Sequence, residues 1–93
     1  MKKFYTITST LRAVNKKDGS EELLNVGTLD LAYKVRENAY KALQDFKKQY
    51  ITSMEYKPTA SEFSVVKERP TYLLIADFEI KEHWLSDYEE KES

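Results

Sequence analysis

The sequence predicts an α+β domain in which a four-stranded antiparallel sheet carries one long helix on one face. Three observations lead to this fold class. Only one long segment, residues 28–51, has apolar residues at helical spacing. The segments before and after it are short and alternate between apolar and polar residues, as strands do. Each of these flanking parts also contains a turn signal, so we expect two hairpins in ββαββ order.

The first hairpin is expected from two strands joined by a turn. Residues 3–14 alternate, with Ile7 and Leu11 on the face that we assign to the core and a row of threonines on the other. Asp18-Gly19 predicts the turn, because glycine adopts positive φ at no steric cost. The return strand is predicted over residues 21–26.

The helix is predicted to begin at Thr28, which is a good N-cap residue, and to end near Ile51. Its apolar residues recur at steps of three and four, so they form one stripe that can pack on a sheet. The stripe consists of Leu31, Val35, Ala39, Ala42, Leu43, Phe46 and Tyr50.

After the helix, residues 52–60 are predicted to be a loop, and residues 62–68 and 71–81 to be the second pair of strands. Arg69-Pro70 predicts the turn between them, because the residue before a proline avoids helical backbone angles. We expect residues 82–93 to form a short amphipathic helical tail that becomes acidic. The 93 residues are interpreted as a single domain.

Composition restricts the function more than any motif does. Fifteen basic and sixteen acidic residues leave a formal charge of −1, whereas proteins that grip a phosphate backbone usually have a basic excess. The absence of cysteine excludes disulfides and zinc–thiolate sites. No apolar run is long enough for a membrane span or a signal peptide, so we expect a cytoplasmic protein that does not associate with membranes.

Chemistry-bearing residues are few. His83 is the only histidine, and neither a nucleophile motif nor a glycine-rich phosphate loop accompanies it. Asp77 and Glu79 would point the same way from one strand, but a solvated strand face is the favoured explanation of such a pair. We therefore expect no enzyme, no catalytic residue, no metal site and no cofactor.

One flank of the predicted helix is a candidate protein-binding surface. Arg36, Tyr40 and Lys47 follow helical spacing, and Tyr33 lies beside them. Tyrosine and arginine are the residue types enriched at the centres of protein interfaces. The alternative is that the tyrosines cover the edge of the sheet while the bases stay solvated.

Leu73 and Ile75 are expected on the sheet face that the helix leaves uncovered. Either Trp84 and Leu85 of the tail fold back over them, or a second copy of the chain covers them as a homodimer.

The sequence thus predicts a small non-enzymatic protein-interaction module, of the kind found among phage or plasmid accessory proteins that regulate or inhibit a larger protein. The alternative is a nucleic-acid-binding module that uses aromatic and basic side chains such as Phe4, Tyr5, Arg12 and Tyr72.

Overall fold

The computed structural model describes residues 2–84. Its elements follow the order β1 (Lys3–Asn15), β2 (Glu21–Thr28), α1 (Arg36–Ser53), β3 (Lys57–Pro58), β4 (Ser64–Glu68) and β5 (Tyr72–Trp84). The strands form one five-stranded antiparallel sheet in the order β2-β1-β5-β4-β3. The α+β class is confirmed, whereas the predicted four-stranded sheet is wrong.

The fifth strand comes from the segment predicted to be a loop. Lys57 and Pro58 pair with Val66 and Val65 of β4 at one edge of the sheet. Proline has no N–H group to donate, so it is compatible with an edge position, where one side of the strand has no neighbour. A pairing of two residues leaves too little alternation in the sequence to indicate a strand.

The helix begins eight residues later than predicted. Thr28 is the last residue of β2, and Val35, in extended conformation with φ −121°, is the N-cap residue of α1. The intervening segment stays extended because it pairs with the part of β1 that β2 does not reach. Leu29 N donates to Ile7 O at 2.9 Å, and Tyr5 and Tyr33 exchange two backbone hydrogen bonds of 2.7 and 2.8 Å.

The predicted apolar stripe is divided accordingly. Leu31 and Val35 precede the helix and are 59% and 50% exposed. Ala39 and Leu43 are fully buried, and the other three members, Ala42, Phe46 and Tyr50, are partly buried against the core. The core lies between this part of α1 and the central strands, with Ile7 on β1, Val65 on β4 and Ala76 and Phe78 on β5.

The predicted C-terminal helical tail is also wrong for residues 82–84, the part of the tail that the structure describes. Residues 82–84 continue β5, with Glu82, His83 and Trp84 opposite Tyr5, Phe4 and Lys3 of β1. Leu85 and the rest of the predicted tail lie outside the described residues. Within residues 2–84, no helix is long and apolar enough to cross a membrane.

Candidate protein-binding surface

The sheet is longer than the helix that covers it. The two central strands, β1 and β5, have 13 residues each, which corresponds to about 43 Å. The 18 residues of α1 span only about 27 Å. We call the end of the sheet that carries the β1–β2 turn the open end, and define it as residues 11–15, 20–26 and 71–75.

The helix-side face of the open end forms a groove of about 520 Å³. Apolar side chains of three strands line it: Leu11, Ala13, Leu24, Tyr72 and Leu74. Leu11 and Leu74 also reach the core, so the groove continues the core into solvent. A partner that filled this groove would extend the core of the domain.

The opposite face of the open end contains Leu73 and Ile75, as predicted for the side away from the helix. Their strand positions lie opposite Val14 and Arg12 of β1 and Glu68 and Val66 of β4. The four aliphatic side chains of this face, those of Val14, Val66, Leu73 and Ile75, are only half-buried. Both faces of the open end therefore present apolar side chains.

Arg12 crosses this face between two acidic residues. Its Nε atom donates to Asp77 Oδ2 at 3.1 Å, and its Nη1 atom donates to Glu21 Oε1. The three charges come from β1, β5 and β2, so the ion pairs connect three adjacent strands. Asp77, one of the two carboxylates noted in the sequence, thus has a cation beside it.

Trp84 does not cover Leu73 and Ile75. It lies at the other end of β5, about 30 Å from Ile75 at the usual rise of a strand. Its partner in the register is Lys3, whose Nζ atom lies 4.5 Å from the centre of the indole ring. The fold-back of Trp84 is therefore excluded by the length of the strand, and the position of Leu85 lies outside the described residues.

The outer edge of β2 is the most exposed apolar feature of the open end. Leu23, Leu24 and Val26 are 62%, 47% and 55% exposed. The strand contains neither lysine nor proline, residues that commonly protect a sheet edge from pairing. Among residues 2–84, β2 pairs only with β1, so its second side is unpaired.

The opposite edge of the sheet differs from β2 in its length and in its residue types. It consists of β3, which has two residues, one a lysine and the other a proline. Short length, charge and proline are the features by which natural sheets prevent edge-to-edge association. One edge of this sheet thus has all three features, whereas the β2 edge is longer, has no lysine or proline, and is interrupted by a bulge at Leu24.

The helix flank predicted to bind protein makes contacts within the chain. Tyr40 Oη donates to Glu62 Oε2 at 2.9 Å, and Lys47 Nζ donates to Glu62 O at 3.2 Å. The Tyr40 ring also packs edge-on against Phe63, with centroids 6.2 Å apart. The hydrogen bond to the Glu62 carboxylate raises the pKa of Tyr40 above its usual value. These two residues therefore hold the segment before β4 against the helix.

The other two residues of the flank are separated from this contact. Tyr33 lies in the extended segment before α1 and packs against the core. Arg36 is the first residue of α1 and is exposed. The helical spacing from which the flank was inferred thus holds for Arg36, Tyr40 and Lys47 but not for Tyr33.

The end of the sheet away from the open end carries a group of aromatic and basic residues that includes Phe4, whereas Arg12 and Tyr72 lie in the open end. Lys2, Lys3, Lys34, Phe4 and Tyr33 line a cavity of about 620 Å³ together with Ala32. A hydrogen bond from Lys3 to Glu82, 2.9 Å long, raises the pKa of Lys3. His83 stacks on Phe4 with ring centroids 4.9 Å apart, and its Nε2 atom lies 2.8 Å from Thr6 Oγ1. This histidine packs across the strands, and within residues 2–84 no group of three or more histidine and carboxylate side chains is placed to hold a metal ion.

The β2 edge is not among the sites predicted from the sequence. The sequence does contain an indication of an exposed edge, because Leu23-Leu24 interrupts strand alternation and the strand lacks lysine. These residues indicate a binding edge only if β2 lies at the edge of the sheet, and only the topology provides the order of the strands. Comparisons of the chain with protein-family models, with curated proteins and with solved structures find no match.

Proposed function

We propose that the chain is a small protein-interaction module that binds a polypeptide partner at the open end of its sheet. The observation that carries this proposal is the mismatch between a 13-residue pair of central strands and a helix that is too short to cover them. The module catalyses no reaction of its own. Acting on a larger protein, a module of this size would serve as a regulator or inhibitor.

The physical reason is that a sheet without cover on either face is poorly stabilised. Sheets gain stability by packing one face on another layer, and short hairpins alone are marginal in water. At the open end, the aliphatic side chains of β1, β2 and β5 remain half-buried or exposed on both sides. A partner that covers them gains roughly 25 cal/mol for each Å² of apolar surface removed from water.

The unpaired β2 edge indicates how a partner would bind. An extended segment can add to such an edge as a further strand, with backbone hydrogen bonds for affinity and side-chain pockets for specificity. The groove beside Leu24 would accept apolar side chains from that segment. Each backbone hydrogen bond formed contributes about 1 kcal/mol net.

The test compares two surface variants in a capture assay with the immobilised chain. Leu23→Asp combined with Val26→Lys places charge on the β2 edge, and Arg36→Ala combined with Tyr40→Ala removes the helix flank. Circular dichroism first confirms that both variants are folded. We expect the edge variant to lose captured protein by more than about tenfold, which corresponds to ~1.4 kcal/mol.

The flank variant is expected to retain capture. Loss of capture in the flank variant alone would show that the binding site is instead at Arg36 and Tyr40, as predicted from the sequence. Equal capture by all three proteins would contradict binding at either surface.

A second candidate function is nucleic-acid binding, which the cavity at the other end of the sheet favours. Its three lysines could contact phosphates, and Phe4 and Tyr33 could stack on bases. Fluorescence anisotropy with labelled single-stranded DNA and RNA over a salt series tests it, because binding to phosphates weakens steeply with salt. Lys34→Glu should then weaken binding, whereas Lys48→Glu on the helix should not. Absence of binding at low salt would eliminate this candidate.

A further inference from the structure

We propose that residues 85–93, which follow β5 in the sequence, bind back over the lysine-lined cavity at the end of the sheet away from the open end. We call this site the lysine cavity and define it by Lys2, Lys3, Phe4, Ala32, Tyr33 and Lys34. Tyr88 would occupy it, and the carboxylates on either side of Tyr88 would lie beside the lysines. This surface is separate from the open end, so its occupant does not depend on the partner proposed there.

The lysine cavity combines apolar surface with positive charge. Three of its lining residues are apolar or aromatic and three are lysines, and among residues 2–84 no acidic side chain lines it. Lys3 is paired with Glu82, whereas Lys2 and Lys34 make no ion pair within the described part of the chain. A site of this kind is complementary to an occupant that carries both an aromatic ring and carboxylates.

Residues 85–93 have that composition. They contain four acidic residues and one lysine, which gives the segment a formal charge of −3. Tyr88 is the only aromatic residue of the segment and lies between Asp87 and Glu89 in the sequence. A tyrosine ring supplies a large apolar surface with a polar end, so it suits a cavity that is apolar inside and open to water. The flanking carboxylates supply the charge that the lysines attract.

The end of β5 brings the segment within reach of the cavity. Trp84 is the last residue of β5 and lies opposite Lys3, which lines the cavity. Tyr88 follows four residues later, so an extended chain carries it up to about 13 Å from Trp84. Tyr33 pairs with β1 on the side away from β5, two strand spacings or about 10 Å from β5. Tyr88 can therefore reach the cavity while β5 stays paired to its end.

Attachment to β5 makes weak contacts sufficient for binding. Lysine–carboxylate pairs at the surface each contribute little, and salt screens them. A segment that is joined to its site by a few residues is nevertheless present at a roughly millimolar effective concentration. Residues 85–93 therefore have an advantage over any separate anionic ligand of similar affinity. Such a ligand would have to displace Tyr88 before it could enter the lysine cavity.

The test uses the absence of cysteine from the sequence, so that one introduced cysteine carries one nitroxide spin label. In the full chain, Lys91→Cys takes the label and leaves the tyrosine and the acidic residues of the segment unchanged. NMR then measures how strongly the label broadens the backbone amides of Ala32 and Lys34. The control is the amide of Lys81 in β5, about 10 Å from Trp84 along the strand. We expect severalfold stronger broadening at Ala32 and Lys34, whereas an unbound segment would broaden Lys81 at least as much.

Substitutions in the labelled chain identify the contacts. Lys34→Glu should remove the selective broadening of Ala32, because it places a carboxylate among those of the segment. Lys48→Glu on the exposed side of α1 changes the net charge equally and should leave the broadening intact. Tyr88→Ser should reduce it, since the ring no longer fills the cavity. Salt at about 1 M should reduce it as well, because the screening length falls to about 3 Å.

Broadening at Ala32 and Lys34 that does not exceed that at Lys81 would overturn the proposal. Selective broadening that Lys34→Glu leaves as strong as Lys48→Glu does would also overturn it. Circular dichroism confirms that each variant is folded, and Lys2→Glu takes the place of Lys34→Glu if that variant does not fold. The proposed function at the open end is tested separately, because the capture assay uses variants outside the lysine cavity.

Discussion

Leucines at positions 31 and 43 have the same side chain and opposite environments. Both fit the helical stripe read from the sequence, but Leu31 lies in the extended segment before α1 and Leu43 is fully buried in the core. The periodicity alone does not distinguish them. Only the pairing of the extended segment with β1 determines which of them faces the sheet.

At the residue scale, the same substitution should therefore have unequal effects. Leu43→Ala should lower the free energy of unfolding by about 2–5 kcal/mol, because it removes buried methyl groups and leaves a cavity. Leu31→Ala, on an exposed side chain, should change it by no more than about 0.5 kcal/mol. Urea denaturation followed by circular dichroism measures both. Similar losses for the two variants would mean that Leu31 has a packing role that its exposure does not reveal.

At the scale of elements, the β1–β2 turn shows how much a local signal can determine. Asp18-Gly19 predicted a turn, and Gly19 has the expected positive φ of 74°. Gly19 N donates to Asn15 O at 2.9 Å, and Ser20 N donates to Asp18 Oδ1 at the same distance. The turn is encoded by residues next to one another, so the sequence alone was sufficient to predict it.

The two glycines of the chain provide a matched pair for this element. Gly19→Ala should cost roughly 1 kcal/mol, because a Cβ atom disfavours left-handed backbone angles. An added Cβ at Gly19 would meet no atom within 4 Å, so the cost comes from the backbone alone. Gly27→Ala in β2 has equal space and no positive φ, and should be neutral or slightly stabilising. Thermal melts of both variants check this, and equal destabilisation would contradict it.

Elements that depend on distant residues were predicted less well. The start of α1 is set by the unpaired part of β1, which accepts and donates backbone hydrogen bonds that a helix over residues 29–35 could not provide. β3 exists because β4 is available to pair with Lys57 and Pro58. The alternation of β5 was long enough to be read correctly, and its Ala76 and Phe78 do face the core. The candidate site was the least predictable, because an edge is a property of strand order.

At the scale of the whole molecule, the described part of the chain is elongated, with extents of 52 × 25 × 20 Å. The helix covers one portion of this length, and the open end extends past it. Stability should therefore differ along the same strands, since local opening is easier where few buried apolar contacts are lost.

Amide hydrogen exchange followed by NMR measures this difference directly. Backbone amides of residues 76–77 in β5 should exchange more slowly than those of residues 73–75 in the same strand. Both sets lie where β5 pairs with β1 on one side and with β4 on the other, so hydrogen bonding is matched and the cover from the helix differs. Uniform protection along β5 would contradict a weakly stabilised open end.

The central position of β1 and β5 has a consequence for how the protein folds during synthesis. These strands are the first and last of the described chain, yet they pair along their whole lengths, from Lys3 opposite Trp84 to Asn15 opposite Tyr72. Contacts between residues so distant in sequence slow folding, because a long loop must close before they form. On the ribosome, β1 and β2 can form their hairpin early, but the strand that completes the centre of the sheet emerges last. The nascent chain therefore exposes its hairpin without a core until β5 has been made, and during that interval the edges of the hairpin are open to pairing with the wrong strand.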